Sequence, residues 1–575
     1  MKRIFIFAAM AAISLTACQQ ELNIEENNPE ALAVFTATTE SSATKTALSQ
    51  NGENYDVLWQ NEDQITIVDA AANVGIYQTA STTTQGSFSY VSGTAATTPD
   101  YKAWYPASLY NAGTPTLRAT QEYTAGNIKK SPMYAESSTE SLSFKNICGI
   151  IRLNVSTTMT GKKVRRIILS AAQPMSGAIS NAATLASDSY IAAVSGIDGV
   201  TLDCGESGVA IGTEPTAFHF AVLADTYTGL KITVITTDGD FQTRTLKSDK
   251  SIIVGRSSIA DVTIPFNSLA ATNLSAAATA NTYIVSSAGK YKFKATVKGN
   301  GGLDPMTGTT ATNIDPASIV GVKVLWELGD TYGKAIKYEG GAYDISYADG
   351  YVYFSTPDSF SSGDACVAIY DSSDNILWSW VIWATPAPGT TTHQGATFMD
   401  RNLGAIDVGN CMRGFLYQWG RKDAFSAANG NYSPYTYVPD HASVFSEVKV
   451  TSTMDYTIAH PTVGVNTGDA TSWMSSEDYA KLPWRDDVKT IYDPCPAGWR
   501  VPTSTQMNGM SGLPATGFCN VVGLSGISYR GYGNPGSCYY RTSTISSYPR
   551  AYAFNGSGIS NWGTAPAMAI RPVHE

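Results

Sequence analysis

From Val34 onward the chain alternates apolar and polar residues over short runs. Val34-Phe35-Thr36-Ala37-Thr38, Val57-Leu58-Trp59, Gln64-Ile65-Thr66-Ile67-Val68 and Gly75-Ile76-Tyr77 are separated by clusters of Gly, Asn, Asp and Ser. A period of two between turn residues predicts strands, and its regular repetition predicts β-sandwiches. Almost no amphipathic helical periodicity precedes the last third of the chain. Another β-rich stretch runs through residues 281–383, where Lys290, Lys292 and Lys294 alternate with Tyr291, Phe293 and Ala295. Such a strand buries one face and wets the other. Further on, a strand would set Trp378 and Trp380 on one face and Trp383 on the other. That cluster reads better as core or domain contact than as a sugar-stacking surface.

The start of the chain has a different pattern. Lys2 and Arg3 precede an apolar run from Ile4 to Leu15, too short to span a bilayer, and Leu15-Thr16-Ala17-Cys18 follows. A basic start, a short apolar stretch and small residues before a cut site make a secretory signal, here residues 1–17. The cysteine after the cut resembles the lipobox of bacterial lipoproteins, which implies that Cys18 carries the lipid anchor. Residues 18–31 are polar and acidic, with Glu21, Glu25, Glu26 and Glu30, and read as a lipidated flexible tether. The acidic run also resembles the signal that sends lipoproteins of the Bacteroidetes to the outer face. A plain solvated linker explains it equally well.

Length and composition narrow the classes. A chain of 575 residues predicts about three to four domains. With 43% hydrophobic and 15% charged residues it is globular rather than disordered. Lys and Arg number 38 against 48 acidic residues, a net charge of −10, and loss of Lys2 and Arg3 with the signal deepens it. An acidic chain without basic runs argues against nucleic acid as a partner. Of the eight cysteines, Cys148, Cys204 and Cys366 are scattered and read as small buried apolar residues. Cys411, Cys495, Cys519 and Cys538 fall in the last third, where an oxidising compartment permits bridges. The histidines are dispersed and no CxxC occurs, so neither a zinc site nor any other cofactor is expected.

Two resemblances follow from ordered motifs. Thr44-Lys45-Thr46-Ala47-Leu48, Val57-Leu58-Trp59 with Asp63-Gln64-Ile65, Pro132-Met133 and Phe144-Lys145-Asn146 with Gly149 stand in that order. They resemble the amino-terminal domain of the fimbrillin family of Bacteroidales pilins. Residues 164–169, Met175-Ser176-Gly177, Phe218-His219-Phe220 and residues 230–234 resemble its second domain. This resemblance implies tandem transthyretin-like β-sandwiches over 32–160 and 161–267, with Trp59, Trp104 and Phe144 as core anchors. Residues 268–280 read as a linker and 281–383 as a third β-sandwich. After a Pro/Thr/Gly stretch, Asp400-Arg401-Asn402-Leu403-Gly404-Ala405, Gln418-Trp419-Gly420-Arg421-Lys422-Asp423 and residues 489–503 resemble the Fibrobacter succinogenes major paralogous domain. That resemblance implies an α+β fold akin to C-type lectins over 390–575, a domain expected to fold by itself. Its short helix would run through 504–510 from Pro502-Thr503, and Ile570-Arg571-Pro572-Val573 would be its closing strand. The family's Tyr-Trp-Ser-Ser-like strand stands here as Tyr540-Arg541-Thr542-Ser543.

Candidate chemistry is sparse. Calcium-dependent lectins cluster carboxylates and amides around the metal. No acidic residue lies between Asp493 and Glu575, so metal-mediated sugar binding there is not expected. No nucleophile elbow, zinc helix or phosphate loop occurs, so no catalytic residues are assigned and the chain reads as a non-enzyme. A faint likeness of residues 498–503 to the sulfatase-modifying-factor fold brings no closely spaced cysteine pair. Cys519 and Cys538 read instead as a structural disulfide closing one hairpin. What remains is recognition: Tyr529, Arg530, Tyr532 and Asn534 on a Gly/Asn/Pro loop, with Trp562, form a candidate ligand surface. The aromatic-rich stretch 425–484 is a second candidate.

These readings combine into a surface lipoprotein of the outer membrane that acts in adhesion. The expected role is a tip or accessory subunit of a fimbrillin-type pilus, with 390–575 as the recognition head. The alternative is a stand-alone lipoprotein that captures glycan for nutrient uptake. Strand exchange with other fimbrillin subunits is the assembly route the resemblance implies, after a protease removes the first strand. No arginine occurs between Cys18 and Arg118, and Lys45 is the only basic residue between Cys18 and Lys102, so the chain is expected either to be cut near Lys45 or to cap the fibre by another route. Because further domains follow the pilin-like pair and the last strand closes the head, the subunit is expected to accept a strand and not to donate one. The expected partners are thus other fimbrillins, a host or bacterial surface ligand such as a glycan, and the membrane through Cys18.

Overall fold

The computed structural model describes residues 32–39, 49–51, 54–56, 59–80, 82–111, 113–126, 128, 131–180, 193–197, 199–247, 250–268, 270–328, 331–406, 408, 414–426, 445–466, 471–513 and 538–575. The fold is mainly β, and the α-helices among these residues are short and confined to the last third. They are Met454–Ala459, Ser476–Ala480 and Ser504–Met507. The last starts where the family resemblance places it but ends at Met507 rather than at the expected residue 510. Thr503 accepts from the Gln506 N–H, and the Gln506 side chain accepts from the Thr503 N–H, a reciprocal cap that satisfies two otherwise orphaned donors.

Strands Phe35–Thr39, Gln64–Val68, Val74–Thr79, Gln85–Gly93, Tyr101–Tyr105, Met133–Ser137 and Ser141–Asn146 form a closed barrel, where two open sheets are expected from the sequence. The difference lies in the first strand. Phe35–Thr39 pairs parallel with Ser141–Asn146 on one side and antiparallel with Gln85–Gly93 on the other, joining both edges. Trp59 and Phe144 are fully buried inside, as expected of core anchors. The Trp59 ring meets Phe88, Tyr105 and Phe144 edge-on and donates its indole N–H to the Ala37 carbonyl at 2.9 Å.

The second unit is a sandwich. One sheet carries, in order, Thr120–Glu122, Gly199–Asp203, Lys163–Ser170, Lys231–Thr236 and Phe241–Thr245. The other has Cys148–Ser156 between Thr216–Leu223 and Ile259–Pro265. Cys148–Ser156 and Thr120–Glu122, both inside the expected first domain, therefore pair with strands of the second. A separate apolar cluster joins the two units: Trp104, Leu109, Leu117 and Tyr134 meet Cys148, Ile150, Ala221 and Leu223. Trp104 thus anchors the joint rather than the barrel core.

The third unit is also a sandwich. Strands Thr272–Asn273, Lys290–Lys294, Tyr351–Ser355 and Ile345–Ala348 face strands Thr282–Val285, Ile376–Ala384, Gly363–Tyr370 and Gly321–Leu328. Tyr291 and Phe293 point into the core while the alternating lysines face out, as the alternation predicts. The expected linker 268–280 is tied down: the Leu274 N–H donates to the Lys292 carbonyl, and Lys290 Nζ donates to Ser268 Oγ at 2.9 Å. Arg166 bridges Asp203 of the second unit and Asp349 of the third at 2.9 and 2.8 Å.

The terminal unit and the third unit share one core. Trp378, Trp380 and Trp383 are buried in the same cluster as Phe415, Tyr417, Trp419 and Tyr492. Trp383 donates its indole N–H to the Ala405 carbonyl at 3.1 Å, and Asn281 Nδ2 donates to the carbonyls of Ile491 and Asp493. Thr385, in the expected Pro/Thr/Gly linker, is fully buried and accepts from Arg401. At the far end Val573–His574 pairs with Ala396–Met399 and Trp499–Arg500, the closing strand the sequence suggests. A terminal unit without the tryptophan strand would expose much of this core, against the expectation that 390–575 stands alone. Expressed alone, residues 390–575 should lack a cooperative urea transition, while residues 269–575 should show one. Trp383→Ala in the longer fragment should cost about 3–5 kcal/mol, read as a fall in the urea midpoint. A sharp transition from 390–575 would mean that the shared core is dispensable.

Candidate functional site

Cys18, Lys45, Cys519, Tyr529, Arg530, Tyr532 and Asn534 lie outside the described residues. Trp562 lies on strand Ile559–Gly563, whose sheet also holds Arg550–Phe554 and Tyr540–Ile545. Its half-buried ring meets Tyr539 edge-on at 5.2 Å, and its indole N–H donates to Ser560 Oγ at 2.8 Å. Cys538 is half-buried and its thiol donates to the Leu513 carbonyl at 3.3 Å, while Cys519, its expected disulfide partner, lies outside the described residues. Among the described residues no group of three or more His, Cys, Asp or Glu is placed to hold a metal ion.

The terminal motifs turn out to be scaffold. Gln418 Nε2 donates to the carbonyls of Val465 and Ala565, and its Oε1 accepts from Arg421. Asp423 accepts from both Arg421 and Lys422, and Lys422 Nζ reaches Ser379 Oγ of the third unit. All four side chains are buried. Gly404 has φ +78°, and a Cβ there would lie 2.1 Å from the Phe415 ring, so only glycine fits. Arg541, the departure from the family pattern, is fully buried without a carboxylate partner. Its Nη2 donates to the Gly563 carbonyl at 2.7 Å, and burial lowers its pKa to about 9. These residues hold the unit together.

A second candidate, which the sequence reading passed over, lies between the first and second units. A cleft of about 560 Å³ opens between Pro106, Leu109 and Leu117 on one wall and Asp203, His219 and Ala221 on the other. Its size falls in the range of ligand pockets, which favour such junctions. Gln121 stands at its floor, donating Nε2–H to the Ala221 carbonyl at 2.7 Å and accepting from the Ala221 N–H at 2.9 Å. His219 is only 7% exposed, yet its Nδ1 has no hydrogen-bond partner. Burial, helped by the Arg152 charge on the adjacent strand, lowers its pKa to about 4, so the ring is neutral at physiological pH. The sequence does carry a signal: alternation in Phe218-His219-Phe220 sends the phenylalanines to the sandwich core and His219 to the opposite face.

No family model matches the chain, and no curated protein does. Among solved structures, a candidate cell adhesion protein from Bacteroides ovatus is 14% identical with a TM-score of 0.28, over 41% of this chain and 93% of its own. A fimbrial protein from the same species is 9% identical with a TM-score of 0.20, over 94% of this chain and 99% of its own. A C-terminally truncated tip fimbrial protein from Porphyromonas gingivalis is 10% identical with a TM-score of 0.18, over 38% and 84%. Likeness this loose fixes neither the fold nor the role of this chain.

The lowered pKa of His219 has a measurable sign. Between pH 6.5 and about 4 the unfolded chain takes up a proton on this ring and the folded chain does not. Acidification through that window should therefore destabilise the native protein relative to His219→Gln, with no such difference above pH 6.5. Urea midpoints of both proteins across the window give the comparison. Parallel pH profiles would show that the ring is protonated in the native state.

Proposed function

We propose that this chain is a lipid-anchored surface protein acting in adhesion, at the tip or as an accessory subunit of a fimbrillin-type pilus. The reading rests on the motif resemblance and is supported by one topological feature above all. Phe35–Thr39 fills a slot in the barrel between Ser141–Asn146 and Gln85–Gly93. Its loss would leave two facing ladder edges and the apolar places of Phe35 and Ala37 open to a replacement strand. Lys45 follows this strand in the sequence within a few residues, where a protease cut would free it. The donating side looks different: the second unit runs straight into the third through a tied-down segment, and Val573–His574 is paired on both sides. In this reading Phe35–Thr39 marks the accepting slot, and neither the segment leaving the second unit nor Val573–His574 is free to serve as a donor strand, which suits a tip.

The terminal unit is the recognition head in this reading, with Trp562 and the Tyr529, Arg530, Tyr532 and Asn534 loop as its contact surface. No catalytic role is assigned to it. On the same reading Cys18 is the anchor and the outer membrane the site of attachment.

Immunogold labelling of the head should give one cluster at each pilus end. Label spaced along the shaft would remove the tip assignment, and label confined to cell surfaces without pili would favour glycan capture by a stand-alone lipoprotein. Cys18→Ala should abolish fatty-acid labelling and release the protein from membrane fractions. A mutant that still labels and sediments with membranes would overturn the anchor.

A further inference from the structure

The cleft between the first two units exposes an unfinished strand edge. Thr216–Leu223 pairs with Cys148–Ser156 on one side only. On its other side Gln121 holds both the N–H and the C=O of Ala221, with a side-chain amide in the place a neighbouring backbone amide would take. Along an antiparallel strand every second residue turns its N–H and C=O to the same side. The backbone groups of His219 therefore face the same open edge as those of Ala221, and among the described residues no side chain does for them what Gln121 does two residues on. His219 also lines the cleft by residue, and its ring Nδ1 is buried without a partner.

We propose that this cleft binds an extended peptide segment of a partner chain, which adds to the edge of Thr216–Leu223 at His219. The unsatisfied N–H and C=O are the complement of a backbone amide, and the Gln121–Ala221 pair displays the geometry such an amide adopts. Charge does not select the ligand, because Arg118, Glu122 and Asp203 bring both signs to the rim. Apolar walls from Pro106, Leu109 and Leu117 receive the side chain that points inward. Main-chain bonds give such a contact its affinity and the flanking pockets its selectivity. The site is separate from the barrel slot and goes beyond the pilus reading, so labelling at pilus ends leaves it untouched either way.

The test uses the full-length protein and acetylated, amidated tetrapeptides of alternating valine and threonine, with each amino acid in turn at the third position. In the free protein, the His219 amide should exchange with deuterium much faster than the Ala221 amide. At least one peptide should bind saturably below about 1 mM and slow exchange at His219. Ala217→Pro removes an outward N–H without breaking the ladder to Cys148–Ser156 and should abolish binding. Slow exchange at His219 in the free protein would mean that the edge is already closed, and the proposal falls. It falls equally if no peptide binds, or if binding survives Ala217→Pro with the thermal transition unchanged. Should that variant fail to fold, protection at His219 in the wild type decides alone.

Discussion

Several buried tryptophans place an indole N–H as well as a ring, and these bonds tie together distant parts of the chain, whereas the N–H of Trp380 is buried without a partner. Trp59 donates to the Ala37 carbonyl and so couples the barrel interior to the first strand. Trp378 donates to Asn281 Oδ1, whose amide in turn reaches the carbonyls of Ile491 and Asp493. Trp383 donates to Ala405, Trp419 to Thr542, Trp473 to Trp419 and Trp484 to Tyr492. Each of these bonds crosses between segments that ring burial alone would leave free to slide. The carboxy-terminal half is organised by them, since strand Ile376–Ala384 places its rings in a core completed by the terminal unit.

That arrangement explains why the terminal motifs say little about ligands. Gln418, Arg421, Lys422 and Asp423 form a closed set of buried bonds, and Arg401 and Asn402 are spent on Thr385 and Tyr540. Residue types that look chemically active in a sequence are here the polar framework of a loop-rich unit with little regular secondary structure. A unit with so few ladder bonds satisfies its backbone through buried side chains instead.

Alternation along the chain made the strands legible, and Lys290 to Lys294 show why: the period of two is imposed directly by a half-buried sheet. The helix at Ser504–Met507 was expected from the family resemblance, over 504–510, and its Thr503 cap fixes where it starts but not that it stops at Met507. Pairing was not legible. Nothing local in Phe35–Thr39 says that it has a neighbour on both sides, and so the barrel read as a sandwich. Nor does the composition of residues 384–393 reveal that Thr385 is buried, since Pro, Thr and Gly look alike in a linker and in a tight crossing. His219 escaped notice because its meaning comes from Gln121, about a hundred residues away, and from a wall contributed by another unit.

The first strand of the barrel has one more property. Phe35–Thr39 runs parallel to Ser141–Asn146, with Thr36 opposite Ser141 and Thr39 opposite Phe144. The chain enters the first strand from its amino-terminal side and leaves the second towards Cys148–Ser156. Tension between the entry and that exit pulls the two strands past each other along their length. All the hydrogen bonds between them then resist together in shear, instead of opening one after another like a zipper. The same strand that a cut behind it would release is, while the chain is whole, held in the direction in which a sheet is mechanically hardest to open.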